Sequence, residues 1–353
     1  MKKLLLIWHA AGESIYEGRF DSLSKYFELE VFGFNKFQGD RFKNSFRKNK
    51  KYKIKLFNPL FSFHWLTVFS LKLIHSIRKS HYDFVYIHEE PHALLSFLIL
   101  LFRNKKSLYI LDAAIINTKL NFNGFNFFEK YVYKNINFIF YRNHEVKKIL
   151  LKRGAPINKL KLKIGNGVSN YNYVKRNKIN TIGFAGKITY RKGLHVIIEA
   201  LKYTSNKFKL IVCGEILDKE YFKKLNKNFH YYGFLRNQKD IENFYHSCDI
   251  FICPSLSTKN WQEQFGRVLI EASTTGALII GSSSGFIPNL TGECTFEEGN
   301  AKNLLKVIDK YSSDMNIFHD TANFQRKNIL KKYSWDSIAS QVFIFLNPIN
   351  TRN

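Results

Sequence analysis

The stretch TIGFAGKITYRKGLHVIIEALKY, residues 181–203, contains a strand pattern, a basic loop and a helix pattern in direct succession. The run Thr181–Ala185 is short and mostly apolar, which is typical of a buried strand. Apolar residues at helical spacing then predict a helix over Leu194–Tyr203. The loop between them carries Gly186-Lys187 and Arg191-Lys192-Gly193. We expect these cations to bind phosphate, although lysines beside a glycine turn are also common on solvated surfaces.

Strand and helix patterns alternate along almost the whole chain, which predicts βαβ units and parallel sheets. In the first half, strands are predicted at Lys3–Trp8, Glu30–Phe34, Phe84–His88, Ser107–Leu111, Phe138–Tyr141 and Leu160–Ile164. In the second half, they are predicted at Thr181–Ala185, Lys209–Cys213, Phe229–Gly233, Ile250–Cys253 and Ala277–Gly281. Helices are predicted around Leu66–Ile77 and at Val146–Lys152, Leu194–Tyr203, Ile241–His246, Val268–Thr274 and Asn303–Tyr311. With an Asn- and Lys-rich linker at Gly165–Ile179, the pattern predicts two doubly wound domains facing one another.

The composition excludes several classes of protein. With 45% hydrophobic residues the chain can bury a core, and four cysteines in 353 residues form no disulfide framework. We expect those cysteines to pack as small apolar residues. The longest uncharged stretches, Phe57–Leu71 and Pro91–Phe102, fall short of the ~20 apolar residues that cross a bilayer. We therefore expect a cytoplasmic protein whose apolar start, Met1–Trp8, is a buried strand and not a signal peptide.

The net charge of +27 is concentrated in the first half, because residues 1–178 contribute +21 and residues 179–353 only +6. Lys36–Lys55 alone holds nine basic residues and one acid, interleaved with aromatic residues. Such a stretch suits an anionic membrane surface, so we expect peripheral contact with the inner face of the plasma membrane. A solvated loop is the alternative. No nucleic-acid partner is expected, because no zinc finger, RRM signature or recognition helix accompanies the charge.

The stretch EQFGRVLIEA, Glu263–Ala272, places two carboxylates eight residues apart with Gly266 between them, where a loop becomes a helix. A helix N-terminus binds phosphate through its unpaired N–H groups and its dipole. Eight helical residues span at most roughly 12 Å, a suitable reach for two acids that flank a diphosphate. The alternative is a solvated Glu263 and a Glu271 satisfied by capping.

In their order and spacing, these stretches resemble the retaining GT-B glycosyltransferases of family 4, also called group 1. The matching motifs are Gly186-Lys187, Lys192-Gly193, Tyr232-Gly233-Phe234, Asp249–Ser255, Glu263–Ala272, Gly276 and Gly285–Pro288. The resemblance is strong over residues 180–300. The first half matches only in layout, through Gly12, His88-Glu89-Glu90-Pro91 and Gly165-Asn166-Gly167-Val168.

The resemblance implies two Rossmann-like domains around a central cleft: an acceptor-binding domain at 1–170, a nucleotide-sugar-binding domain at 171–333, and a C-terminal helix at 334–353 that packs back on the first. It implies that Lys187 and Lys192 neutralise the donor diphosphate, that the Phe265 and Gly266 amides bind phosphate or sugar hydroxyls, that Glu271 binds the ribose and that Glu263 binds the donor sugar. Further donor-binding residues implied are Gly12, Gly186 and Phe234. No cofactor and no metal are expected, since cations and a helix dipole carry the leaving-group charge.

Three positions depart from the family pattern. Lys187 stands where arginine is commoner, Asn289 where glutamate is usual, and Asp112 near where relatives often have a histidine. The acceptor base is therefore left open between His88, His92 and Asp112. His9, like His88 and His92, follows a predicted strand, and a histidine there is as often structural as catalytic.

We therefore expect transfer of a sugar from a nucleotide-diphosphate donor to a saccharide or lipid-linked acceptor, with retention, in bacterial surface polysaccharide or lipopolysaccharide synthesis. Two alternatives stay open. One is another GT-B enzyme, such as a sugar-nucleotide epimerase. The other is a non-enzymatic basic protein that binds membrane surfaces.

Overall fold

The computed structural model describes residues 1–13, 16–35, 50–60, 68–113, 123–165, 167–168, 171–204, 208–225, 228–259, 261–263 and 265–349. The chain forms two compact units. Unit 1 comprises Met1–Gly167 and Trp335–Asn353, and unit 2 comprises Val168–Ser334. The two chain crossings lie side by side, since the Val168 N–H donates to the Tyr333 carbonyl at 3.0 Å. The units therefore change at 167/168 and 334/335, where the sequence predicted 170/171 and 333/334.

The described residues of unit 1 contain a parallel sheet of seven strands: β1 (Lys3–Ile7), β2 (Glu28–Phe34), β3 (Lys53–Phe57), β4 (Phe84–Ile87), β5 (Leu108–Ala113), β6 (Phe138–Tyr141) and β7 (Leu160–Lys163). Their order across the sheet is β3-β2-β1-β4-β5-β6-β7. The order reverses between β1 and β4. Ligands of doubly wound sheets bind beyond the carboxyl ends of the strands at such a point.

Helices cover both faces of this sheet. Those that precede unit 2 are α1 (Glu17–Leu23), α2 (Leu71–Lys79), α3 (Leu94–Leu101), α4 (Asn123–Asn135) and α5 (His144–Lys152). Along β1, Leu4 and Leu6 enter one apolar core while Leu5 and Ile7 enter the other. Successive strand residues point to opposite faces, so a strand buried on both faces reads as an unbroken apolar run.

The edge strand β3 was not predicted. The sequence pattern treats Lys36–Lys55 as one basic stretch, of which residues 36–49 lie outside the described residues. Lys53 is exposed, whereas Phe57 at the end of β3 is buried. Lysines on an edge strand oppose pairing with other chains, which is a second reason for charge in this segment besides a partner.

The described residues of unit 2 contain a parallel sheet of six strands: β8 (Thr181–Ala185), β9 (Lys209–Cys213), β10 (His230–Tyr231), β11 (Ile250–Cys253), β12 (Leu278–Ser282) and β13 (Thr295–Phe296). The order is β10-β9-β8-β11-β12-β13, which reverses between β8 and β11. The helices are α6 (Leu194–Leu201), α7 (Lys219–Lys224), α8 (Gln238–His246), α9 (Arg267–Thr274), α10 (Pro288–Thr291), α11 (Ala301–Ser312) and α12 (Met315–Tyr333). The predicted bounds of β8, β9 and β11 are those of the structure.

Within the segment predicted as a linker, Gly165–Ile179, the described residues 171–179 belong to unit 2. Tyr171 and Arg176 are both buried against unit 2. Arg176 donates to the carbonyl of His246 at 2.9 Å. Because Asn and Lys dominate the composition of this segment, its composition did not indicate that Tyr171 and Arg176 are buried.

The last helix, α13 (Trp335–Leu346), belongs to unit 1, where Ile338 and Val342 join the core beside Leu4. The prediction that the C-terminal helix returns to the first domain is therefore confirmed. Trp335 lies directly against Gly167, where an added Cβ would come within 2.1 Å of its ring. Over the described ranges, the model contains no helix long and apolar enough to span a bilayer.

Candidate active site

The structure brings together Lys192 and Glu263, which are 71 residues apart in sequence. Lys192 ends the 3-10 turn after β8, and Glu263 precedes α9. The Lys192 ammonium forms an ion pair with Glu263 Oε2, and the Ser255 hydroxyl donates to the same oxygen at 3.0 Å. The two side chains are 20% and 14% exposed. Within the described part of the chain, Glu263 Oε1 has no hydrogen-bond donor and two of the three ammonium N–H groups of Lys192 have no acceptor.

An aromatic ring lies against the cations of this loop. The Arg191 guanidinium carbon is 4.1 Å from the centroid of the Trp261 ring, and Lys192 Nζ is 4.9 Å from it. Such cation–π contacts hold the basic groups in place without neutralising them. Trp261 was not predicted from the sequence to lie beside these cations. The available signal was an aromatic residue two positions before Glu263.

Glycine positions allow the Lys192 loop to approach the end of β11. Gly193 has φ 73°, and a Cβ added there would lie 1.9 Å from the Pro254 carbonyl oxygen. The Leu256 N–H donates to the Arg191 carbonyl at 2.8 Å. The loops that follow β8 and β11 are therefore joined by backbone contacts, and any side chain at Gly193 would separate them.

A second glycine fixes the backbone of Glu263. Gly285 has φ 54°, and a Cβ added there would lie 2.1 Å from the Glu263 carbonyl oxygen. That oxygen accepts a hydrogen bond from the Phe286 N–H at 2.9 Å, and the Glu263 N–H donates to Ser284 Oγ at 3.3 Å. The carboxylate of Glu263 is thus placed by the turn after β12 as well as by its own loop.

The N-terminus of α9 follows directly. Gly266 is its N-cap residue, with φ 64°, and a glycine has no side chain with which to cap the helix. Phe265 stacks on Phe286 with ring centroids 5.9 Å apart. A helix N-terminus without a side-chain cap, beside Lys192, favours the binding of an anionic group.

Glu271 has partners of its own. Its side chain is buried one turn inside α9, where Arg267 Nε donates to Oε1 at 2.7 Å and the Tyr245 hydroxyl to Oε2 at 2.8 Å. Burial and the neighbouring Glu271 raise the pKa of Tyr245 well above its usual value, so the phenol stays protonated and donates. Each oxygen of the Glu271 carboxylate thus accepts one hydrogen bond and can accept another.

Three other predicted residues have separate surroundings. A Cβ added to Gly214 would lie 1.7 Å from the carbonyl oxygen of Gly186, so the two glycine backbones are in close contact. Lys187 is exposed and has no ion pair with any residue that the structure describes. Phe234 is partly exposed beneath the guanidinium of Arg236, 5.8 Å from its ring centroid. Within the described residues, no hydrogen bond or ion pair joins these three to Lys192 or Glu263.

In unit 1, the candidate acceptor bases Asp112 and His88 belong to one buried cluster. Asp112 Oδ2 lies 2.7 Å from His88 Nδ1, accepts from the Tyr86 hydroxyl at 2.9 Å, and pairs with Arg19 and Arg142 at 3.0 Å each. Burial would raise the pKa of Asp112, but the charges of Arg142 and its neighbours lower it well below its usual range. Burial, and then Arg19, lower the pKa of His88 to about 3. His88 is therefore a neutral imidazole, enclosed by the Asp112 carboxylate and the guanidinium groups of Arg19 and Arg142.

The remaining candidates of unit 1 differ in exposure. His92 is fully buried, with Nδ1 3.3 Å from Arg153. Gly12 is buried in the turn after β1, where a Cβ on Gly33 would come within 3.3 Å of its nitrogen. His9, in the same turn, is 19% exposed and lies 2.7 Å from the buried Glu89 carboxylate. The sequence analysis noted His9 at a strand end but did not place it in the site.

No group of three or more His, Cys, Asp or Glu residues suited to a metal ion occurs in the ranges that the structure describes. The four cysteines are all buried and unbridged, as small packing residues would be.

Two parallel α/β units with Rossmann-like strand order are the architecture of GT-B glycosyltransferases, and comparison with known proteins confirms this fold class. The model of the family "Glycosyl transferases group 1" matches residues 171–331. The matched segment lies within unit 2.

Among curated relatives, an uncharacterised glycosyltransferase of Methanocaldococcus jannaschii is 26% identical over 45% of this chain and 42% of its own length. The capsular polysaccharide biosynthesis glycosyltransferase CapM of Staphylococcus aureus is 27% identical over 47% of this chain and 46% of its own length. The chain thus spans less than half of these relatives.

Solved structures match over nearly the whole chain. Anabaena HepE in complex with UDP has a TM-score of 0.72 at 16% identity, covering 99% of this chain and 100% of its own. A glycosyltransferase of Rickettsia africae has a TM-score of 0.70 at 17% identity, covering 98% of each chain. At such identities the likeness establishes the fold.

Proposed function

We propose that this protein transfers a sugar from a nucleotide-diphosphate sugar to a saccharide or lipid-linked acceptor, with retention of the anomeric configuration. The observation that carries the proposal is the Lys192–Glu263 pair beside the uncapped N-terminus of α9, inside the segment that matches the family. Two matched proteins support the donor and the setting. HepE has been solved with UDP and glucose, and CapM acts in capsular polysaccharide synthesis.

The donor diphosphate would bind at the N-terminus of α9 and Lys192. As the bond between sugar and phosphate breaks, negative charge grows on the leaving diphosphate. The two remaining N–H groups of Lys192 and the helix dipole favour that charge most in the transition state, and this difference lowers the barrier. Lys187, exposed at the adjoining turn, would add a second positive charge.

Glu263 would orient the donor sugar. Its Oε2 is occupied by Lys192 and Ser255, so Oε1 is the oxygen left to accept from a sugar hydroxyl. The Glu263 N–H donates to the Ser284 hydroxyl and the Glu263 carbonyl accepts from the Phe286 N–H, and these two bonds fix the backbone that carries the carboxylate. Glu271 would use its remaining acceptor positions for the ribose hydroxyls, and the amides of Phe265 and Gly266 would bind phosphate or sugar oxygens.

We propose that transfer needs no metal, because lysines and the helix dipole supply the charge that a divalent ion would otherwise supply. The protein would act on the inner face of a bacterial membrane, in surface polysaccharide or lipopolysaccharide synthesis. The exposed residues Lys51 and Lys53 support contact of Lys36–Lys55 with anionic lipid. Transfer should therefore survive EDTA, and a complete loss that Mg²⁺ restores would overturn the metal-independent form.

Nucleotide binding is the first test. UDP, GDP, ADP and CMP are each added to the purified protein, and the midpoint of thermal unfolding is followed. A ligand bound by the native state raises that midpoint with concentration. One of the four nucleotides should raise the unfolding midpoint of wild type, and should raise that of Lys192→Ala much less. UDP is tested first, because HepE has been solved with UDP. No shift with any of the four would overturn the proposed donor class.

Chemistry is tested with the sugar form of the nucleotide that binds. Wild type should release one nucleotide per sugar transferred, and proton NMR of the product should show the donor's anomeric configuration. Isomerised donor without acceptor would indicate an epimerase. An inverted product would overturn retention but leave the transferase.

A further inference from the structure

The surface of α3 and α4 in unit 1 carries a group of exposed apolar side chains. The α3 sequence LLSFLILL contains a single polar residue, the buried Ser96. Leu101 and Phe102 at its end are 44% and 43% exposed, and Phe127 on α4 is 60% exposed. Exposed apolar residues that occur singly need no explanation, but a contiguous group marks an interaction site.

Ring contacts join the two helices into one surface. Phe97 on α3 stacks on Phe128 of α4 with centroids 4.6 Å apart, and meets Tyr131 edge-on at 5.0 Å. Phe127 is 5.8 Å from the same Phe97 ring. Leu101 lies one helical turn beyond Phe97 and so extends the same face of α3. We name Phe97, Leu101, Phe102, Phe127 and Tyr131 the aromatic patch.

The charges beside the aromatic patch are positive. Those on or next to the two helices are Arg103, Lys105, Lys106, Lys130 and Lys134. Lys130 and Lys134 lie three and seven residues after Phe127, on the same side of α4. The one acid of α4, Glu129, is buried and paired with Arg153 at 2.7 Å. The described residues of both helices therefore present an apolar centre with basic neighbours and no exposed carboxylate.

We propose that the aromatic patch docks on an anionic lipid bilayer, with its apolar side chains in the interfacial region and its lysines at the headgroups. Apolar and basic groups on one face are the combination that holds a peripheral protein on anionic membranes. A second copy of this chain fits poorly, because a two-fold contact through this face would bring lysines against lysines. The inference rests on the membrane association proposed above, and adds α3 and α4 as its main apolar contact beside the basic stretch Lys36–Lys55.

Sedimentation with vesicles tests the surface directly, using equal parts of phosphatidylcholine and phosphatidylglycerol, and phosphatidylcholine alone as reference. Wild type should bind the anionic vesicles. The triple variant Leu101→Ser, Phe102→Ser, Phe127→Ser should lose at least tenfold in affinity, because each exposed apolar side chain gains from leaving water. The variant Lys105→Gln, Lys106→Gln, Lys130→Gln should bind less tightly and lose most of its salt dependence.

Two controls keep the outcomes separate. The variant Lys50→Gln, Lys51→Gln, Lys53→Gln removes charge from the other basic surface and should keep most of the binding. Phe324→Ser, at an exposed site on α12 of unit 2, should change nothing. The triple serine variant should retain the unfolding midpoint and the nucleotide response of wild type, which shows that it is folded.

A second experiment distinguishes insertion of the aromatic patch into the bilayer from adsorption of the protein to its surface. Phe127→Trp should show quenching by brominated lipid in anionic vesicles beyond that of wild type, and Phe324→Trp should not. Wild-type binding that the triple serine variant retains in full would overturn this inference and leave the membrane association standing. Failure of wild type to bind would overturn both. A concentration-dependent dimer that the triple variant abolishes would assign the patch to a second copy. Vesicle binding without any glycosyl transfer would overturn the proposed function alone.

Discussion

Both units place a carboxylate among cations, Asp112 near the carboxyl end of β5 and Glu263 on the loop before α9, but the two arrangements differ in access. In unit 1, one oxygen of Asp112 lies within 3.0 Å of four side chains, and the whole cluster is buried. In unit 2, Glu263 and Lys192 are partly exposed and keep unused acceptor and donor positions. A ligand could reach Asp112 only by displacing buried partners, at a large desolvation cost. The same chemical groups are thus enclosed in one unit and partly accessible in the other, where we propose that they bind a ligand.

The largest effect is expected from Asp112→Ala. Removal of this carboxylate leaves the Arg19 and Arg142 charges buried without compensation, and breaking a buried pair in this way costs about 3–5 kcal/mol. The thermal midpoint should fall steeply, and Asp112→Asn should fall nearly as far because it also lacks the charge. A midpoint within error of wild type, measured beside Lys202→Ala as the exposed-pair control, would contradict the structural role of the cluster.

The next effect concerns catalysis. Lys192→Ala should lower turnover by more than tenfold and leave the unfolding midpoint almost unchanged, since the lost interaction is strongest with the leaving diphosphate. Lys202→Ala is the matched control, because Lys202 also pairs with a glutamate, Glu199, but on an exposed face of unit 2. Turnover of Lys192→Ala within a factor of two of wild type would remove Lys192 from the site.

The two glutamates of the E-x7-E pattern should separate by ligand. Glu271→Ala should weaken the binding of free nucleotide, because ribose contacts form equally in the ground and transition states. Glu263→Ala should spare free nucleotide and lower turnover of the sugar donor. Since Glu271 also receives bonds from Arg267 and Tyr245, Glu271→Gln should accompany it as the variant of similar shape. Calorimetry that shows both positions equally impaired for bare nucleotide would refute the division.

The sequence was informative where chemistry is local. Strand limits such as Ile250–Cys253 follow from apolar runs. The roles of Lys192 and Glu263 are implied by motifs that resemble the family, and those roles stay predictions. The sequence did not predict contacts between residues that lie far apart along the chain. That Trp261 lies against Arg191 depends on how two loops approach one another, which no spacing records.

Unit 1 was the harder half to predict. The lysines of its edge strand β3 hide the apolar alternation that would predict a strand. The sequence around a candidate base such as Asp112 also does not indicate whether its carboxylate is buried or accessible. Only the positions of Arg19 and Arg142, contributed by distant elements, show that it is enclosed.

The smallest effect concerns His9, which is intermediate between the two arrangements because it is partly exposed while its partner Glu89 is buried. Burial by itself would lower the pKa of His9, but the charge and hydrogen bond of Glu89, with a smaller contribution from Glu13, raise it above 6.5. The charged pair then stabilises the fold fully below pH 6.5, and this stabilisation is lost as the pH rises through the higher pKa of the folded state.

Glu89→Gln should therefore lower the pKa of His9, because burial remains and the neighbouring charge is removed. Titration of the imidazole by NMR, with His9→Asn to assign the signal, measures the shift. The difference in unfolding midpoint between wild type and Glu89→Gln should be greatest in mildly acidic solution and should shrink above the pKa of the folded protein. An unchanged titration of His9 in Glu89→Gln would show that Glu89 does not set the charge of this histidine. A difference in unfolding midpoint that grows toward alkaline pH would show the same, and His9 would then be a structural residue like Asp112.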